Sequence, residues 1–260
     1  MILLEELKEK AKIKNLSLGN AEKDYLIDLA LFSISKNTRD ELIFKGGTCL
    51  CKFYNLGRFS EDADFTATKP VNMDKLAENI ISDLKLFGIN CKLHTKKEPF
   101  NSVLLALRCE GPLFNGTPQT YSSVRIDVNF KSSIDMAPLL KNFSSIYQEI
   151  PTFSLLVMQE KEIAAEKIRA IITRDKARDL YDLWSMIAKG VEVDKITISK
   201  KLEYYGIKFD YDEFSKILGN KEFVWEKDLK PLLRYIPEFN EAKKLILKEA
   251  KKWSFQKKNR

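Results

Sequence analysis

Three aspartates stand where strand alternation would turn them to one side. In SEDADF, Asp62 and Asp64 are two residues apart, so a strand carries both side chains on one face and Ala63 and Phe65 on the other. In RIDVNF the same alternation sets Arg125, Asp127 and Asn129 against Ile126, Val128 and Phe130. If the two strands are neighbours, the three carboxylates converge on one patch. Clustered carboxylates repel one another unless a cation sits among them. Mg2+ prefers oxygen ligands and commonly takes one or two protein carboxylates plus substrate phosphates. Two such ions activate an attacking oxygen and neutralise a leaving pyrophosphate. Asp62, Asp64 and Asp127 are therefore the expected ligands of Mg2+ (or Mn2+).

The other half of such chemistry is a phosphate cradle. ELIFKGG reads as a short buried strand ending in a tight turn, and TCLCKFYNLG as the helix entered through it, closed by Gly57. Gly46 and Gly47 let backbone N–H groups approach phosphate oxygens closely, aided by the helix N-terminus that follows. A lone D-x-D is usually surface acid, and a lone Gly-Gly is usually just a turn. The order strand, Gly-Gly, helix, D-x-D strand and later aspartate strand is what carries weight.

A second group of charges lies further on. In EKEIAAEKIRAIITR the apolar arc Ile163, Ala164, Ile168, Ile171 and Ile172 encloses Lys167, with Arg174 beside it. A cation among core positions needs an anionic partner. Two kinds are available, the triphosphate of an NTP or a pairing with Asp179 or Asp182 in RDLYDLW. Those two acids flank an apolar face made by Leu180, Leu183, Trp184 and Ile187. They either orient Lys167 and Arg178 or act directly in catalysis.

Around these motifs the chain reads as two parts. NAEKDYLIDLALFSISK has helical periodicity with Asn20 as N-cap, and MDKLAENIISDLKLFG is an amphipathic helix ending at Gly88. NSVLLALRCEG and YSSVRIDVNF read as two strands either side of a polar turn. The fold class is α/β (α+β), a mixed sheet with helices over residues 1–154. Helical periodicity over 155–260, broken at Gly190, Gly206, Gly219 and Pro231, predicts a helical C-terminal domain.

Composition narrows the partners. The chain of 260 residues is 44% hydrophobic and 31% charged, an ordinary globular balance. No run approaches the roughly 20 apolar residues of a membrane span. The N-terminal MILLEELKEK, acidic from its fifth residue, does not read as a secretion signal, so a cytoplasmic protein without membrane contact is expected. A single histidine, His94, and four cysteines without zinc or redox spacing leave little for a zinc site or a histidine-based triad. The net charge of +7 favours anionic partners. The tail from Lys243 to Arg260, with Lys251, Lys252, Lys257, Lys258 and Arg260, offers cations to RNA phosphates or forms a solvated terminal helix.

Taken together, FKGGTCL, RFSEDADF and RIDVNF resemble the nucleotidyltransferase superfamily pattern of hydrophobic-Gly-Gly, D-x-D and a third acid. With EKDYLIDLAL and EKIRAIITRDKARDLYDLW, the chain more specifically resembles the AbiEii/AbiGii toxin family, the toxin half of type IV toxin–antitoxin systems. The likeness covers roughly residues 20–190. It implies a pol-β-like core with a helical C-terminal domain, use of an NTP with Mg2+, and tRNA as acceptor in some members. A cognate antitoxin is the implied partner. Gly46, Gly47 and Thr48 match the phosphate-side turn, and Ser60, Asp62 and Asp64 match the S-x-D-x-D strand. Asp127 matches the third acid, Lys167 the family's lysine, and Arg178, Asp179 and Asp182 the R-D-x-x-D-L segment. Cys49 departs mildly, standing where alanine is commoner.

The expected activity is transfer of a nucleoside monophosphate from an NTP to an acceptor hydroxyl, first of all at the tRNA 3′ end, with pyrophosphate released. Asp62 and Asp64 would bind metal, Asp127 would assist the hydroxyl, and Gly46, Gly47, Thr48, Ser60, Lys167 and Arg178 would hold the nucleotide. The rivals are an enzyme that modifies a protein or small molecule, and a silent RNA- or partner-binding module. Three retained, clustered acids count against a silent module.

Overall fold

The computed structural model describes residues 1–99 and 101–253; of the basic tail, Lys257, Lys258 and Arg260 lie outside them. The chain forms two compact units. The first comprises Met1–Asn55 and Phe59–Met158, the second Leu56–Arg58 and Gln159–Arg260. The segment following Pro151 is a strand of the sheet, which keeps it in the first unit.

The first unit runs α1 (Leu4–Lys14), α2 (Leu18–Asn37), β1 (Leu42–Lys45), α3 (Gly46–Phe53), β2 (Asp62–Ala67), α4 (Met73–Leu86), β3 (Asn90–Lys97), β4 (Ser102–Glu110), β5 (Ser122–Asn129), β6 (Leu139–Phe143) and β7 (Phe153–Val157). Among the described residues the strands form one mixed sheet in the order β3-β4-β5-β2-β1-β7-β6. β2 runs parallel to β5 and antiparallel to β1, while β1 is parallel to β7.

α2 is buried along most of its length, charged Asp24 and Asp28 included, with Leu26, Leu29, Ala30, Leu31 and Ile34 fully enclosed. Each such leucine or isoleucine contributes roughly 1.5–3 kcal/mol by burial, which makes α2 the central prop of the sheet. Its N-cap is Ser17, whose hydroxyl accepts from the Asn20 amide, so Asn20 itself lies one turn inside the helix. α3 begins at Gly46 itself and ends at Phe53, with Asn55 rather than Gly57 in the left-handed region that follows. Gly88 ends α4 as its spacing predicts, at φ +74°. Cys49 and Cys109 are buried, and none of the four cysteines is in a disulfide.

The second unit is helical: α5 (Glu160–Thr173), α6 (Ala177–Ala188), α7 (Lys195–Glu203), α8 (Tyr211–Asn220), α9 (Glu222–Leu229) and α10 (Phe239–Ala250). Gly190 and Gly206, both at positive φ, separate helices as expected. Gly219 does not, since it lies inside α8. No helix among the described residues is long and apolar enough to cross a membrane.

Candidate active site

Register brings the first motif together. β2 lies beside β5 with Asp62 opposite Arg125 and Asp64 opposite Asp127, while β1 places Lys45 opposite Asp64 on its other flank. Residues at paired positions of adjacent strands share a face, so Asp62, Asp64, Asp127, Lys45 and Arg125 form one patch. Ala63, Phe65, Ile126 and Val128 occupy the opposite, buried face.

Gly46 follows directly. It adopts φ +76°, and a Cβ there would stand 2.4 Å from Asp64 Oδ2, closer than any side chain permits. Glycine is thus the residue that lets α3 start against the D-x-D strand. The N-cap Lys45 contributes no side-chain cap to α3, which leaves the start of this helix without an N-cap side chain at the position where a phosphate would meet it.

Thr48 is fully buried and its hydroxyl donates to the Asp62 carbonyl at 2.5 Å, with the Ser60 hydroxyl 2.8 Å away. Thr48, expected on the phosphate side of the turn, thus directs its side chain into the fold. Its hydroxyl is spent inside the fold, where it fixes the entry of β2. Ser60 is half-buried in the same small network.

The electrostatics of the patch are unbalanced. Burial raises the Asp127 carboxyl above its ordinary range; Lys45 and a hydrogen bond from Ser102 pull it back, and Asp62 pushes it up. Asp62 Oδ1 is buried with no hydrogen-bond partner among the described residues, and its ion pair with Arg125 is loose at 3.8 Å. An orphaned carboxylate oxygen beside two more carboxylates suits a hard cation. Among the described residues no group of three or more His, Cys, Asp or Glu is arranged to hold a metal by itself. The donor set therefore fits an ion that takes its remaining ligands from phosphate and water, as Mg2+ does, rather than a closed protein cage.

A buried ion pair props α3 from behind. Lys52 on α3 reaches Asp24 Oδ1 at 2.6 Å and Asp28 Oδ1 at 2.5 Å on α2, and Asp28 also accepts from Ser145 at 2.7 Å. These residues lie in stretches where only the apolar pattern had been legible.

The second motif has a different character. Lys167 is buried with its ammonium 2.9 Å from Asp179 and 2.7 Å from Asp182. Asp182 is gripped by Arg58 through Nε at 2.6 Å and a second guanidinium nitrogen at 2.8 Å. Asp179 accepts two bonds from Arg174, at 2.7 and 2.8 Å. Burial opposes ionisation of both acids, yet Lys167 and Arg174 hold Asp179 well below the usual carboxylate range, and Arg58 and Lys167 do the same for Asp182. Of the two partners open to Lys167, the acids are the ones found, and it pairs with both. Asp179 and Asp182 are themselves fully enclosed and saturated by cations, an arrangement that favours the orienting alternative over the catalytic one. Arg178 is half-buried and makes no ion pair among the described residues. Arg58 was missed, although it stands two residues before Ser60 in RFSEDADF. A lone cation in that motif was the available signal.

Comparison with known proteins bears on the family and the fold. The family model described as nucleotidyl transferase AbiEii toxin, type IV TA system, matches residues 29–258. Among solved structures, the nucleotidyltransferase toxin MenT4 of Mycobacterium tuberculosis H37Rv is similar at TM-score 0.65 and 20% identity, over 96% of this chain and 89% of that one. JHP933 of Helicobacter pylori is similar at TM-score 0.58 and 19% identity, over 91% and 92%. At such identities these two likenesses concern the fold. No curated protein matches the chain.

Proposed function

The chain belongs to the AbiEii family of nucleotidyltransferase toxins of type IV toxin–antitoxin systems, and on that premise we propose that it uses Mg2+ to move a nucleoside monophosphate from an NTP onto the 3′-terminal hydroxyl of an RNA, tRNA first of all. The family is a nucleotidyltransferase family that acts on a nucleotide and implies an antitoxin partner. The observation that carries the reading is the approach of Gly46 to Asp64, which sets an uncapped helix start against a patch of three carboxylates.

In this reading Asp62 and Asp64 hold the ion, and Gly46 and Gly47 present backbone amides to the triphosphate. When bound, the ion polarises the phosphoryl group and neutralises the departing pyrophosphate. Asp127, whose burial keeps its proton affinity above that of an ordinary aspartate, takes the proton of the acceptor hydroxyl. The new bond joins that oxygen to the α-phosphorus, and the α–β bridging bond breaks to release pyrophosphate. Ser60 and Thr48 hold the start of β2, and Lys45 tempers the charge on Asp127. Lys167, Asp179 and Asp182 serve as positioning residues that fix Arg58 and Arg174, and Arg178 is left as the cation of that segment free to meet a phosphate. The substrates place the reaction in the cytoplasm.

The test is incubation with each α-labelled NTP, Mg2+ and total RNA, with protein and small-molecule fractions in parallel. Label on RNA in the tRNA size range, released as the terminal nucleotide, is expected. Label confined to protein or a small molecule would replace the acceptor, and no label anywhere would overturn the reading.

A further inference from the structure

The carboxylate patch is one end of a larger surface, since its face of the sheet continues outward across β5, β4 and β3. The register carries the row Asp64–Asp127 on to Leu104 and Lys97, and the row Asp62–Arg125 on to Ala106 and Thr95. One row further, Ser123 lies opposite Arg108, which lies opposite Lys92. The intervening residues Leu105, Leu107, Val124 and Ile126 are fully buried on the other face, where Asp74 of α4 meets Lys96. The open face thus carries Arg125, Arg108, Lys92 and Lys97. Among the described residues, Arg108 and Lys97 have no carboxylate partner, Arg125 has only its loose contact with Asp62, and Lys92 sits over the ring of Tyr121 at 5.3 Å. Tyr121 in turn packs against Phe114 with centroids 4.7 Å apart. The acid at this end, Glu110, is occupied by Asn90 and, more distantly, by Tyr121.

Unneutralised cations in successive strands, ending at a pair of aromatic rings, are what a single-stranded polynucleotide needs. Phosphates track the charges while a base stacks on a ring. Neighbouring strands are about 4.8 Å apart, so β2 to β3 spans about 14 Å, the reach of a short run of nucleotides. A flat acidic protein surface would match the charges but would leave the rings without a purpose.

We propose that the strip Arg125–Arg108–Lys92, with Tyr121 at its far end, is the track along which a single-stranded RNA end lies as its terminal hydroxyl meets Asp127. This rests on the nucleotidyltransferase reading and adds where the acceptor runs. It is tested with the full chain and a fluorescein-labelled single-stranded 12-nucleotide RNA of mixed sequence, followed by anisotropy across a salt series, beside transfer of labelled NTP to total RNA. Each phosphate contact on a single strand contributes about 0.7 to the slope of log K against log salt. Arg108→Gln with Lys92→Gln should therefore weaken binding at least tenfold at low salt and reduce the slope by about 1.4. Tyr121→Leu should weaken binding about tenfold while leaving the slope unchanged. Arg108→Lys with Lys92→Arg should restore binding, which separates charge from folding. No RNA binding by the unaltered protein, or wild-type affinity and slope in the glutamine pair, would overturn the strip. So would loss of antitoxin binding alone. If the unaltered protein transfers label to RNA while the glutamine pair binds RNA normally, only the strip fails. If the strip binds RNA yet label goes elsewhere, the RNA-acceptor reading fails and with it the strip's role as acceptor track, leaving only an RNA-binding surface.

Discussion

Two clusters of aspartates in this protein use the same side chain to opposite ends. On the sheet face, Asp62, Asp64 and Asp127 outnumber the cations beside them; Asp127 is raised above its ordinary range, and an oxygen of Asp62 is buried with no hydrogen bond. In the helical unit, Asp179 and Asp182 share Lys167, Arg58 and Arg174, every carboxylate oxygen is engaged, and both acids are held below the ordinary range. A carboxylate left short of partners is ready to take a metal or a proton. One saturated by cations is already committed to the fold. Motif spacing does not distinguish the two; the count of cations within reach does.

The comparison breaks most visibly if a committed acid proves dispensable. Asp182→Ala strands Arg58 and half of Lys167 in a buried site, and removing one partner of such a pair costs about 3–5 kcal/mol. Urea unfolding should show that loss, and Lys167→Met should show a similar one. Unchanged stability with abolished transfer would move these residues into the chemistry. Next in size is Gly46→Ala, where a Cβ meets Asp64 at 2.4 Å and the backbone stays at φ +76°. Strain of about 1–3 kcal/mol is expected, and transfer should fall about 10²-fold or more as the amides and Asp64 are pushed apart.

Acid should separate the clusters as well. Asp179 and Asp182 have folded-state pKa values below their unfolded ones, so their stabilisation is full above the unfolded value of about 3.9 and is lost as pH falls from there toward the folded values. Helical signal monitored between pH 5 and pH 2 should decline earlier and less steeply in Asp182→Asn, which has one fewer such acid to lose. The smallest effect concerns Lys45, which pulls the Asp127 carboxyl down. Lys45→Met should move the acid limb of kcat/KM to higher pH, because the base then protonates more readily. A limb that stays in place would remove Asp127 from the role of base.

Much of the sheet-face cluster was legible because period-2 alternation is strict in DADF and RIDV, and register needed only neighbouring strands to bring Asp64 to Asp127. β3 was not, because NCKLHTKK offers only Cys91 and Leu93 to a core and lies at the sheet edge. β7 went unread because its five residues adjoin the helical pattern that begins at Glu160. Lys167 was visible as a cation in an apolar arc with Asp179 and Asp182 among its candidate partners, but Arg58, which grips Asp182, stands far upstream, a separation that sequence spacing does not bridge. The burial of the Thr48 hydroxyl was not legible, because hydroxyl burial leaves no periodic mark.

The division between working and committed acids is tested most directly by single-turnover transfer of label from an NTP to RNA in Asp64→Asn, with its melting temperature measured on the same sample. Asp64 is half-exposed on the sheet face, so the variant should melt with the unaltered protein while transfer falls roughly 10²–10³-fold or further. Transfer at near the unaltered rate in a folded Asp64→Asn protein would contradict the assignment of chemistry to that face.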